Sequence, residues 1–337
     1  MPTIMDVARA AGVGIGTVSR VLNRSPLVSD DTRRRVLAAI ERLGYEPSPI
    51  ARAFGRRRTD KLEVLIPLFA QGFVLEILRG VQDALVDTDY TLLIRTAEDA
   101  RERERLYQEC CGRGRAVAAL VVWMAATEQL VERVQAASFP AVLINAVDPR
   151  LWSVGVDHDS AAERAVGYCI GLGHRTIGLV DRREDPFDPR SPGICQRGYE
   201  RALTQAGYAV QVDHNQLADP SAAAGAAALE ALLALPERPT AIVAGSEAQA
   251  IGVLGAAREI GMRVPDDLCL IGYNDTPVTR DLGLTTLQLP LRELGRVGTD
   301  TLLTALAEPG LPPEALQLPT ELVVRRTSGP PRHPSSA

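Results

Sequence analysis

The chain has no stretch of eighteen uncharged apolar residues, so no segment has the makeup of a membrane-crossing helix. No charged-then-apolar leader opens it: MPTIMDVARAAG carries Asp6 and Arg9 within its first dozen residues, and a cytoplasmic protein is expected. Histidine is scarce, and His158, His174, His214 and His333 show no metal-ligand spacing. The five cysteines contain no CxxC pair. Cys110 and Cys111 adjoin, while Cys169, Cys195 and Cys269 are scattered, a pattern that fits reduced thiols. Neither a metal nor a cofactor is expected. Lys61 is the only lysine, so nearly every positive charge is an arginine.

What is present is unevenly distributed. Up to residue 59 there are 11 arginines against 5 acids, a formal charge of +6; the remainder holds 26 basic residues against 37 acids, or −11. A small basic head on a large acidic body points to a polyanion as the partner of the head, with nucleic acid first among them. At 337 residues the chain suits two or three domains.

Gly12-Val13-Gly14-Ile15-Gly16 has the look of a nucleotide-binding glycine loop. Such a loop needs a strand before it, whereas Ile4, Val7, Ala8 and Ala11 recur at helical spacing. Thr3 followed by Asp6 reads as a capped helix start. A second short helix over 15–23 carries Val18, Val21 and Leu22 on one face, and Gly12 suits a left-handed turn between the two. Two short helices across a tight turn form a helix-turn-helix, whose second helix enters the DNA major groove. Ser29 caps a third helix, Asp30 to Leu43, which is expected to bury Val36, Leu37, Ile40 and Leu43 and to stop at Gly44.

Asp6-Val7-Ala8, Ala11-Gly12-Val13, the run Thr17 to Asn23, and Leu43-Gly44-Tyr45 resemble, in order and spacing, the DNA-binding head of the LacI-type bacterial transcription regulators. The resemblance extends over nearly the whole chain. It implies a homodimer on double-stranded operator DNA, with Ile15, Gly16 and Arg20 at base-reading positions. Thr3, Thr17, Ser19, Asn23, Ser29 and Thr32 fall at phosphate-contact positions. At the base-reading positions Arg20 can bond guanine O6 and N7, and Ile15 can touch a thymine methyl; Gly16 reads nothing and lets the helix approach. For Thr17 and Ser19, simple capping or solvation is the competing reading. Gly14 stands where relatives usually carry serine, and Met5 where a polar or aromatic contact is common.

After this head, residues 1–46, comes a hinge and linker over 47–61. Ser48 is a fitting N-cap, Pro49 a first helical residue and Gly55 a stop. By resemblance this is a hinge helix that pairs in the minor groove through Ala51 and Phe54, with Phe54 at the wedge position. Phe54 as an ordinary docking hydrophobe is the alternative. Arg56-Arg57-Arg58 either tracks phosphates or forms a solvated linker.

The body, 62–326, alternates apolar runs with helical segments. Val64–Pro67, Tyr90–Ile94, Ala119–Val122, Ala141–Ile144, Ile177–Val180, Ala241–Ala244 and Leu268–Ile271 read as buried parallel strands, which implies two doubly wound α/β lobes, about 62–158 with a late return and 159–285. The family resemblance makes this a periplasmic-binding-protein-like effector domain that closes on a small molecule. Candidate effector contacts are Gln71, Phe73, Trp123, Cys195, Ser246, Glu247 and Asn274, although the aromatic residues fit a plain core equally well. Leu68, Cys195, Ser246-Glu247 and Asn274-Asp275 replace the polar residues typical of sugar-responsive members, so the pocket is atypical. Asp275 is read as a structural member of its turn.

Three control modes therefore stay open: an unusual ligand, a protein partner, or no effector. A transport solute-binding protein fits the body but not the basic head. Asp157-His158-Asp159 invites an acid–base reading, yet no nucleophile motif accompanies it, and no enzyme is expected. The Pro/Ser-rich tail, 327–337, is expected to be disordered and has no heptads for a coiled coil, so a dimer is the default assembly.

Overall fold

The computed structural model describes residues 2–22, 27–45, 60–67, 72–112, 115–183, 187 and 193–331. They form a small unit, up to Lys61 with 113–117, and a large one holding the rest.

The small unit contains α1 (Ile4–Ala11), α2 (Ile15–Leu22) and α3 (Asp30–Leu43). Thr3 and Asp6 close a capping box on α1, and Gly12 ends it in the left-handed region at φ 64°. Ser29 caps α3, and Gly44 ends it at φ 58°. Val7, Ala8, Ala11, Val18, Val21, Val36, Ala39 and Tyr45 make one core. Leu37, expected inside, is 50% exposed. It neighbours Val36 in sequence, and adjacent helical residues point about 100° apart, so both cannot face one core.

The large unit opens with β1 (Lys61–Pro67), α4 (Gly72–Leu85), β2 (Thr91–Ala97), α5 (Ala100–Cys110), β3 (Ala118–Val122), α6 (Glu128–Ala137), β4 (Ala141–Ile144) and β5 (Trp152–Val156). It continues with α7 (His158–Gly171), β6 (Ile177–Arg182), α8 (Gln196–Gln205), β7 (Asn215–Ala218), α9 (Ala222–Leu233), β8 (Ala241–Ala244), α10 (Glu247–Glu259) and β9 (Cys269–Tyr273). The last elements are α11 (Pro277–Asp281), β10 (Thr285–Gln288), α12 (Leu291–Ala307), β11 (Ala315–Leu318) and β12 (Glu321–Val323).

Two six-stranded sheets result, in the orders β11-β5-β4-β3-β1-β2 and β12-β10-β9-β8-β6-β7. In each, the chain runs outward by one strand and then reverses, between β1 and β3 and between β6 and β8. Central strands such as β3, β4, β8 and β9 are buried throughout, which is why they read as unbroken apolar runs. The segment expected as a buried strand at Tyr90–Ile94 is instead the edge strand β2, with Ile94 47% exposed. β12 joins antiparallel to β10.

The chain leaves the first sheet after β5, returns for α12 and β11, and leaves again for β12. Residues 327–331 correct the expectation of disorder for that part of the tail, while 332–337 lie outside the described residues. Thr327 is buried, donates to the Leu270 carbonyl (2.8 Å) and accepts from the Thr285 amide (2.8 Å). The Gly329 carbonyl lies 2.9 Å from Nε2 of buried His174. All five cysteines are free thiols. Among the described residues no helix is long and apolar enough to cross a membrane.

Candidate functional site

In the small unit, α2 has two opposed faces. Val18 and Val21 are buried, Gly16 and Arg20 stand open to solvent about half a turn away, and Ile15 (48% exposed) lies about a quarter turn round from the buried face. Thr17 and Ser19 flank that face and are partly exposed. Gly14 starts the helix without a side-chain cap; its carbonyl accepts from the Thr17 and Val18 amides at 2.9 and 3.2 Å.

The remaining candidate hydroxyls sit at helix starts. Thr3 donates to Asp6 Oδ2 at 2.7 Å, a bond that holds the Asp6 carboxyl below its usual range. Ser29 donates to Thr32 Oγ1 at 3.0 Å and accepts from the Thr32 amide. All three hydroxyls thus lie beside the unsatisfied amides of α1 and α3, where an anion is favoured. Arg9, Arg34 and Arg35 are exposed and pair loosely with Asp6 or Asp31 at 3.6–3.9 Å, ion pairs weak enough for phosphate to displace. Asn23, Ala51 and Phe54 lie outside the described residues, as does the effector candidate Gln71.

In the large unit, a cavity of about 140 Å³ opens at the carboxyl ends of strands from both sheets. Such crevices, where strand order reverses, are where doubly wound folds bind ligands. Phe73 at the start of α4 and Trp123 just after β3 form one wall, with ring centroids 4.6 Å apart. Arg182 ends β6, Gly245, Ser246 and Glu247 lead into α10, and Tyr273 and Asn274 end β9. Of the candidates, Phe73, Trp123, Ser246, Glu247 and Asn274 are brought together. Cys195 is not: it is fully buried and absent from the cavity wall. Its amide donates to buried Asp181 at 2.9 Å, so the N-terminus of α8 is tied down behind the cavity rather than presented to it. Burial pushes the Cys195 thiol and the Asp181 carboxyl up.

Arg182, Gly245 and Tyr273 are walls that sequence reasoning missed. Gly245 is required there, because a Cβ would lie 2.5 Å from Asp181 Oδ1. Backbone geometry gives a further signal. Trp123, Asn145 and Asn274 adopt positive φ (55°, 58° and 65°), each directly after a central strand, β3, β4 and β9. Unusual backbone of this kind gathers at ligand sites.

The polar groups of the cleft are largely committed to one another. Ser246 donates to Gln249 Oε1 (2.9 Å), and Glu247 accepts from the Thr276 hydroxyl (2.6 Å). Burial raises the Glu247 carboxyl. The Tyr273 hydroxyl bonds His158 Nδ1, while Asn145 lies 2.8 Å from His158 Nε2. Burial, aided by Arg182, drives the His158 imidazole down to about 3. The Oδ1 atoms of Asn145 and Asn274 have no hydrogen-bond partner, and of the two only Asn274, 6% exposed, lines the cavity.

The acidic neighbours of His158 serve the scaffold. Asp157 caps α7 by accepting from Ser160, and Asp159 pairs with Arg197 at 2.9 Å. Asp275 holds Arg325 (2.7 Å) and Arg280 (3.3 Å), consistent with a structural turn.

Residues 3–48 match the family of bacterial regulatory proteins, lacI family, and residues 166–328 match the periplasmic binding protein-like domain. Catabolite control protein A of Priestia megaterium is 32% identical over 97% of this chain and 99% of its own length. The HTH-type transcriptional repressor PurR of Escherichia coli is 30% identical over 97% of each chain. The solved structure of a transcriptional regulator CelR–cellobiose complex superposes with a TM-score of 0.71 at 29% identity, over 97% of this chain and 100% of that one.

Proposed function

The chain belongs to the LacI family of bacterial transcription regulators, and from that premise we propose that it represses transcription as a homodimer on a palindromic operator, switched by a small molecule between its two sheets. The observation that carries the reading is the split face of α2. Its apolar side is consumed by the core of the small unit, leaving Ile15, Gly16 and Arg20 with no structural task there. An arginine so placed reads guanine through two hydrogen bonds, and Ile15 offers an apolar contact to a thymine methyl. Thr3, Thr17, Ser19, Ser29 and Thr32, with Asn23, set register on the phosphates. Ala51 and Phe54 take the minor groove at the operator centre.

Each half-site would be read by one protomer, so the operator mirrors the two-fold symmetry of the dimer. In the large unit the cavity touches both sheets, so a ligand that contacts both favours the closed arrangement over the open one. The CelR relative was solved in complex with cellobiose, a small molecule. The test is selection of duplexes from a random library, followed by release assays with small molecules. A selected palindrome whose affinity falls steeply with salt supports the reading; indifference to sequence overturns it.

A further inference from the structure

We propose that the effector of this chain is a small planar ring compound bearing an N–H or O–H donor, not a polyol; the inference rests on the effector reading above. Size is the first argument. The cavity of about 140 Å³ is close to the roughly 150 Å³ apolar cavity known to take one benzene ring. Its apolar walls are Phe73, Trp123, Ile194, Pro220 and Ile251, two of them aromatic.

Hydrogen-bonding capacity is the second argument. A sugar brings a hydroxyl on nearly every carbon, and each must find a partner when buried. Among the described walls the hydroxyls of Ser246 and Tyr273 are already engaged, by Gln249 and His158. One Glu247 oxygen is held by Thr276. Of the described cavity walls, Asn274 alone has a buried, unpaired side-chain oxygen, Oδ1, on a residue held at φ 65°. An acceptor in that state calls for one ligand donor, while Phe73 and Trp123 offer faces and edges to a flat ring. Arg182 borders the cavity on the side of the second sheet.

The protein has two tryptophans, so full-length Trp152→Phe leaves Trp123 as the sole indole reporter. It is titrated with 4-hydroxybenzamide and nicotinamide, with toluene as a ring lacking a donor, and with cellobiose and ribose. Thermal shifts of the unaltered protein provide a second readout. Saturable changes with the two amide-bearing rings, weakened roughly 10-fold or more by Asn274→Gly, are expected, because Gly keeps the backbone and removes the acceptor. Toluene is expected to bind weakly and to be indifferent to that substitution. Saturation by cellobiose or ribose, with none by the rings, overturns the ligand class and leaves effector control standing. No saturation by any compound overturns the class and counts against effector control as well.

Discussion

Gly80 on α4 and Gly295 on α12 let the two helices meet backbone to backbone. A Cβ on Gly80 would lie 1.8 Å from the Arg292 carbonyl oxygen, and one on Gly295 would lie 2.0 Å from that of Ile77. α12 thereby returns from the far end of the chain to cover β3, β4 and β5. Gly225 and Gly252 repeat the arrangement between α9 and α10 in the second half, 2.2 and 2.0 Å from the carbonyls of Gln249 and Ala222.

Gly80→Ala is therefore expected to lower stability by about 1–3 kcal/mol, since the helices must separate. Gly167→Ala is the control. That glycine is exposed on α7 with open space at its Cβ, and the change is expected to add about 0.5–1 kcal/mol. Urea unfolding of both variants tests the pair; equal effects would contradict the close crossing.

In the small unit, Gly16 lies inside α2 with nothing within 4 Å of its Cβ position. Gly16→Ala is expected to stabilise the helix by about 0.5–1 kcal/mol, read as slower hydrogen exchange of the α2 amides. The same methyl would stand on the DNA-facing side, so weaker operator binding alongside firmer folding is the expected signature.

Much of this architecture was legible beforehand, for identifiable reasons. β3 and β8 are covered on both faces and so advertise themselves as AALVV and AIVA, while α1 and α3 carry caps whose chemistry is local. β7, β11 and β12 are outer strands with partly exposed residues, and no apolar run marks them. The cavity was half legible. Ser246 and Asn274 follow recognisable strands; Gly245 and Tyr273 adjoin them but read as turn and strand residues, and Arg182 at the end of β6 joins them only through the strand reversal of the second sheet. Cys195 matched by sequence position, yet its burial behind Asp181 depends on a backbone bond that no side-chain pattern encodes.

Asp275 ties the turn after β9 to β10 and to the chain beyond β12. It accepts from Thr286 at 3.2 Å and pairs with Arg325 at 2.7 Å, its side chain 5% exposed. Asp275→Ala strands Arg325 in a partly buried position, and a loss of about 3–5 kcal/mol is expected from chemical denaturation. A change within 0.5 kcal/mol would show that the turn holds without it.

His158 sets a pH dependence. Its folded pKa of about 3 lies below the ordinary value of 6.5, so between those values the unfolded chain binds the extra proton. Stability from this residue is complete above pH 6.5 and declines as pH falls towards 3, by up to about 1.4 kcal/mol per unit. In His158→Gln the slope of stability is expected to flatten by about half a proton at pH 6.5, rising to close to one by pH 5. An unchanged slope would place the imidazole in water rather than between Asn145 and Tyr273.

The most direct test of the whole account is a binding-site selection run in parallel on the unaltered dimer and on Arg20→Ala. The unaltered protein is expected to enrich a palindrome, and the variant to lose about 1–3 kcal/mol of discrimination at one base pair in each half-site while other positions hold. Enrichment of the same sequence at the same stringency by both proteins would remove Arg20, and with it the exposed face of α2, from operator reading.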